Sequence, residues 1–242
     1  VVMKPIRILV VDDSATVRRI VGRAIDESSG FELAGIARHG REALERIEEV
    51  KPDVVTMDHE MPHLDGVETV RALRRAGNDI PVLMYSVHTE RGARATVEAL
   101  VAGATSYLHR RRASGGVDGA VKSVQEELLP AVRRLVGRPA RSATPSVVPA
   151  RRQTPGKRPR IAVLAVGSST GGPNALHAFL GQLPDPFPVP VLITQHMPKA
   201  FTRLLADRLD GSTSLTVHEA QGGEILEAGH AYLAPGGIHM VV

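Results

Sequence analysis

The chain has 242 residues, 43% of them hydrophobic, which is enough for one large or two ordinary domains with buried cores. It has no cysteine, which excludes disulfides and thiolate metal sites, and no apolar run near the roughly 20 residues of a membrane span. The formal net charge is +4, but residues 131–160 alone hold nine basic groups and no acid, so the excess belongs to one segment rather than to a nucleic-acid-binding face. Asp12-Asp13 arrive before a signal-peptide core could form, and a soluble, cytoplasmic protein without nucleic-acid partner or membrane insertion is expected.

Ile6–Val11 reads as a buried strand that ends directly in Asp12-Asp13. Ser14 can cap a helix whose Val17, Ile20, Val21, Ala24 and Ile25 share one face. A strand Phe31–Ala37, a helix Gly40–Val50 and a strand Val54–Met57 ending in Asp58 follow. Next come a helix from about Gly66 to Ala76, a strand Pro81–Tyr85, a helix around Arg94–Ala102 and a fifth strand ending at Tyr107-Leu108. A last helix begins near Val117, with Val121, Val124 and Leu128 on one face, and Pro130 should bend it. Five alternating units predict an α/β fold with a doubly wound parallel sheet.

Asp12, Asp13 and Asp58 each follow a predicted strand, so they converge at one sheet end. Three converging carboxylates repel one another unless a cation intervenes, and hard oxygen ligands suit Mg²⁺. A carboxylate beside Mg²⁺ can attack a phosphoryl group.

Gly137–Pro159 is rich in Pro, Arg, Ser, Thr and Ala without helical or alternating period, and reads as a flexible basic linker. Ile161–Val166 then reads as one buried strand covered on both faces. Gly167–Gly172 forms a tight turn, and Pro173 suits a first helical position. Leu176, Phe179, Leu180 and Leu183 make the apolar stripe of the helix that follows. Within the turn, Gly167-Ser168-Ser169-Thr170-Gly171 fits G-x-S-x-G with Ser169 at its centre. A phosphate cradle is disfavoured, because Pro173 stands where a P-loop needs Lys. A plain strand-to-helix turn and a serine nucleophile stay open. The nucleophile needs a base, and His196, at the end of a predicted parallel strand Val191–His196, can be one. A helix carrying Leu204, Leu205 and Leu209 and a strand Ala231–Ala234 complete this half, with Asp207 and Asp210 on or after the helix.

VVDDS, MDHEMPHLDG and the Ser86 of MYSVHTERG resemble a two-component response-regulator receiver domain. The resemblance implies a flavodoxin-like fold with Asp58 as phosphoacceptor and a histidine kinase as phosphodonor. It further implies Asp12, Asp13 and Asp58 with the Glu60 backbone carbonyl around Mg²⁺, and Ser86, Tyr107 and Arg110 as switch residues. Where that family has Lys-Pro, this chain has Arg110-Arg111; Arg110 keeps the charge but loses the compact ammonium. Together with GSSTGGP, ITQHMPKAFT and GHAYLAPGGIHM, the chain resembles the chemotaxis protein-glutamate methylesterase/glutaminase (CheB) family. That resemblance implies a receiver over residues 1–136, a linker over 137–159 and part of a Rossmann-like methylesterase domain over 160–242. It implies Ser169 as nucleophile, His196 as general base, Thr170 in support, no cofactor in the esterase site, and glutamate methyl esters and glutamines on chemoreceptor helices as substrates. The resemblance also implies a triad carboxylate from a segment beyond residue 242, so a truncated domain of about four strands is expected. No role is assigned to His230 or His239. The alternatives are a non-enzymatic signalling module and, in the absence of a recognition helix, less favourably, a transcriptional regulator.

Overall fold

The computed structural model describes residues 4–87, 90–111, 114–137 and 161–242; the greater part of the expected linker lies outside the described residues. The first half alternates β1 (Ile6–Val11), α1 (Ala15–Asp26), β2 (Phe31–Ala37), α2 (Gly40–Val50), β3 (Val54–Met57), α3 (Gly66–Arg75), β4 (Val82–Val87), α4 (Glu90–Val101), β5 (Ser106–Arg110) and α5 (Gly116–Ser123). The five strands are parallel in the order β2-β1-β3-β4-β5. The order reverses between β1 and β3, where open α/β sheets leave a crevice beyond the strands' carboxyl ends. The helix starts are chemically specified. The Ser14 side chain accepts from the Val17 N–H, and Asp65 and Glu68 form a reciprocal capping box at α3.

The bend expected at Pro130 takes the form of a widened turn. Residues Val124–Leu128 are π-helical and lead into α6 (Leu129–Val136). A proline inside a helix has no N–H to donate, and its ring crowds the carbonyl four residues back, here Glu126. Widening the turn just before the ring relieves that crowding, with Leu129 donating to the Val124 carbonyl.

The second half holds β6 (Leu164–Ser168), α7 (Gly172–Leu180), β7 (Val191–Gln195), α8 (Lys199–Asp210), β8 (Thr216–Glu219) and β9 (His230–Leu233). They form a four-stranded parallel sheet in the order β6-β7-β9-β8. One expectation is corrected here. The strand does not run over Ile161–Val166 and is not covered on both faces; it begins at Leu164, and Ile161 is 76% exposed. Among the described residues β6 pairs only with β7, so it is an edge, and alternate residues along it face outward.

The two sheets share one apolar cluster. Val97 and Leu100 of α4 belong to the same buried group as Leu176, Leu180, Phe201 and Leu205 of α7 and α8. The Phe201 ring lies 5.0 Å from Tyr107 and stacks on His109 at 5.3 Å. The α4–β5 face of the first sheet is therefore the face that carries the second half.

Gly66 decides whether α3 can start where it does. Its N–H donates to the His59 carbonyl at 3.0 Å, and a Cβ there would lie inside the van der Waals envelope of the Asp58 carbonyl oxygen. The Met84 methyl at 3.0 Å could swing aside, but the Asp58 peptide is backbone and cannot give way in that manner. We expect Gly66→Ala to destabilise the fold by about 1–3 kcal/mol or more, read as a lower midpoint in urea at unchanged slope.

Candidate functional site

Two strand-end sites emerge. At the first, Asp12 directly follows β1 and Asp58 directly follows β3, one on each side of the crevice. Oxygens of Asp12, Asp13 and Asp58 lie within 4.8 Å of one another. Asp12 and Asp58 are buried, at 3% and 8% exposure, while Asp13 is open to solvent. Burial raises the Asp12 carboxyl above its ordinary value, opposed by the Ser14 N–H and by Arg110. Burial, and then the charge of Asp12, push Asp58 up to about 6. The set is hard, oxygen-only and short of positive charge, so its chemistry fits a divalent cation such as Mg²⁺.

Arg110 ends β5 and donates to Asp12 Oδ2 at 2.9 Å. The strand runs two residues further than the sequence suggests, and this extension carries the guanidinium to the acids. Ser86 hydrogen-bonds Asp58. Tyr107 sits away from the acids, half-buried against Phe201 and His109, with its phenol pushed up to about 12 by burial. The Glu60 side chain is exposed. His59, which periodicity does not single out, is 4% exposed; its N–H donates to Asp58 Oδ1 at 2.8 Å, and its ring meets Thr96 of α4 at 2.8 Å.

At the second site, Ser168 and Gln195 are the last register partners of β6 and β7. Ser169 and His196 are therefore the next residues past each strand, and the His196 N–H donates to the Ser168 carbonyl at 3.0 Å. Gly171 takes φ 73 before α7 begins, a conformation open to glycine and costly for most residues, and the Gly172 N–H closes the turn on the Ser169 carbonyl at 2.8 Å. Ser169, Thr170 and His196 are exposed, and among the described residues no side-chain hydrogen bond is made by any of the three. Hydrogen bonds that brace the turn come from Gln195. Gln195 is 7% exposed; it accepts from Ser168 Oγ at 2.6 Å and donates to the carbonyls of Ser169 at 2.9 Å and His196 at 3.3 Å. Its amide fills the space over Gly172, where a Cβ would collide with it. The sequence signal was present, a polar residue inside an apolar strand next to the candidate base. The Ser169 turn opens on a cleft of ≈ 1020 Å³, walled on the far side by Asp53, Asp79, Pro81 and Thr105 of the first half.

Two outcomes follow. Without Mg²⁺, a buried carboxyl raised from 3.8 to about 6 favours the folded state only while protonated; that stabilisation is complete below about pH 3.8 and lost as pH rises through about 6. We therefore expect Asp58→Asn to melt higher than the parent at neutral pH by the equivalent of a few kcal/mol, with the difference closing toward pH 4, as calorimetry across pH would read. At the second site, Gln195→Leu should leave Ser169 in place but loosen its carbonyl, slowing phosphonylation of Ser169 by a fluorophosphonate, with loss of fluoride, about 10²-fold.

Residues 164–242 match the model of the CheB methylesterase family, and residues 8–115 that of the response regulator receiver domain. The chain is 43% identical over 250 residues to a protein-glutamate methylesterase/protein-glutamine glutaminase of Nocardioides sp., covering 99% of this chain and 68% of the relative. It is 38% identical over 246 residues to the protein of that name from Trichodesmium erythraeum, covering 99% and 70%, and 41% identical over 248 residues to that from Geobacillus kaustophilus, covering 99% and 69%. With a receiver sheet joined to a parallel methylesterase sheet and this similarity along its length, the chain belongs to the protein-glutamate methylesterase/protein-glutamine glutaminase (CheB) family.

Proposed function

We propose that Asp58 is the phosphoacceptor and that Ser169, with His196 as base, is the nucleophile of this phosphorylation-regulated chemotaxis methylesterase. The observation that carries the reading is the position of Ser169 and His196 one residue beyond the last rung of two adjacent parallel strands, tied by the His196–Ser168 backbone bond. The partition adopted is a receiver over 1–136, a linker over 137–159 and methylesterase sequence over 160–242, acting in the cytoplasm.

At the receiver, Asp12, Asp13 and Asp58 with the Glu60 carbonyl would hold Mg²⁺, which when bound neutralises charge on the acids and the phosphoryl group. A carboxylate oxygen of Asp58 forms the bond to phosphorus as the bond to the kinase histidine breaks. Ser86 is positioned to follow the new phosphoryl group, and Arg110, already paired with Asp12, supplies positive charge beside it.

At the esterase site, Ser169 Oγ attacks the ester carbonyl of a glutamate methyl ester on a chemoreceptor helix as His196 takes the hydroxyl proton. The N-terminus of α7, where the Gly172 N–H is taken by the Ser169 carbonyl and Pro173 has none, contributes the positive end of its helix dipole to the developing oxyanion. Collapse breaks the bond to methoxide, which leaves as methanol with the proton held by His196; water then frees the glutamate and restores Ser169. A glutamine side chain entering the same steps releases ammonia. Regulation follows from the cleft, since residues of the receiver wall the space in front of Ser169 and limit entry of a receptor helix.

Acid-labile phosphate from acetyl phosphate should enter the parent and not Asp58→Asn. Methanol release from methylated receptor, measured on the chain extended by the family's C-terminal segment that carries the triad carboxylate, should require Ser169, falling to background in Ser169→Ala. Equal incorporation in Asp58→Asn would remove the phosphoacceptor, and equal methanol release in Ser169→Ala would remove the nucleophile.

A further inference from the structure

Thr96 Oγ1 makes two buried contacts. It donates to the Gly92 carbonyl at 2.7 Å and lies 2.8 Å from His59 Nε2. A threonine hydroxyl has one hydrogen, and Gly92 uses it. His59 Nε2 must then carry the proton and donate to Thr96, which leaves His59 Nδ1 bare; that atom is buried without a hydrogen-bond partner among the described residues. The ring is thus held in one tautomer by one bond, and that bond reaches α4. On its other side, His59 is the residue next to Asp58, and its own N–H grips Asp58 Oδ1.

From Thr96 the packing is continuous. Val97 and Leu100, its neighbours on α4, are buried at 1% and 3% in the cluster that holds Phe201 and Leu205 of α8. We infer that the His59–Thr96 hydrogen bond is a mechanical link through which the state of Asp58 reaches α4 and, through it, the α8 contact with the methylesterase half. This makes His59 and Thr96 positioning residues of the regulation, additional to Ser86 and Tyr107. The inference rests on Asp58 being the phosphoacceptor.

Phosphoryl attachment changes the charge and acceptor geometry of the carboxylate that the His59 N–H grips. His59 must adjust with it, and the single bond from its ring draws on a hydroxyl fixed to the α4 backbone. An apolar residue at Thr96 would keep the packing and sever that path.

The test uses the whole chain with beryllofluoride and Mg²⁺ as phosphoryl mimic, reading hydrogen exchange over residues 199–210 of α8. The mimic should raise exchange in the parent. Thr96→Val should still bind it, seen as a rise in melting temperature absent from Asp58→Asn, but its exchange response should shrink about fivefold. Thr96→Ser, which restores the hydroxyl, should restore the response, and His59→Phe, which keeps a ring without the donor, should repeat the loss if Thr96→Val does not fold. A full response in Thr96→Val or His59→Phe overturns the link, as does a parent that binds the mimic with no change in α8. A parent that shows no melting rise, like Asp58→Asn, removes the phosphoacceptor reading instead.

Discussion

The contact of Phe201 with Tyr107 and His109 is the constraint on which communication between the halves depends. Phe201 is 1% exposed, in the first turns of α8, and its ring is closed in by two residues of β5. Burying a side chain of that size contributes about 1.5–3 kcal/mol from transfer alone. Tyr107 stands at the position that the receiver resemblance gives to the switch aromatic. Any rotation of Tyr107 toward Ser86 must therefore withdraw one wall of the Phe201 pocket. Docking of the methylesterase half and the resting position of Tyr107 are coupled by sterics, without need of a separate signal.

The electrostatics of the receiver oppose that packing in an informative way. Asp12 and Asp58 are held in a poorly hydrated crevice, and both carboxyls are raised. Arg110 offsets part of the cost at Asp12 through one bond of 2.9 Å. An ammonium at this position would be a compact point charge; the guanidinium is a planar fork that also lies over the Tyr85 ring at 5.8 Å. Arg110 is thus committed to two neighbours, and any further anion beside it would have to share it with Asp12.

Much of this was legible in the sequence because period and punctuation agreed. β1, β2, α2 and β3 begin and end where the apolar runs and their flanking polar residues place them. The acids at strand ends and the placing of Ser169 and His196 just past adjacent strands followed from the turn motif and parallel order, since register past the last rung needs no side-chain detail. The run Ile161–Val166 misled because apolarity does not distinguish a central strand from an edge; that depends on which strands pair beside it. Gln195 was passed over for a related reason. A polar residue within a strand has meaning only when the carbonyls it serves, those of Ser169 and His196, are placed around it. His59 likewise required α4 to be laid across the sheet before its partner could be known.

The loop that carries His196 is held from a third direction. β9 lies between β7 and β8, so the turn after it, Pro235-Gly236-Gly237, comes up beside Met197 and Pro198. A Cβ at Gly236 would collide with the Met197 carbonyl and the Pro198–Lys199 peptide, so only glycine permits that approach. Thr202, fully buried in α8, accepts from the Gly236 N–H at 3.2 Å and donates to Glu219 at the end of β8. The His196 loop, the start of α8 and the ends of β8 and β9 are therefore held together as one unit. Because Thr202 is the residue next to Phe201, that unit sits on the same turn of α8 that meets Tyr107, which places the receiver contact and the support of His196 on one piece of helix.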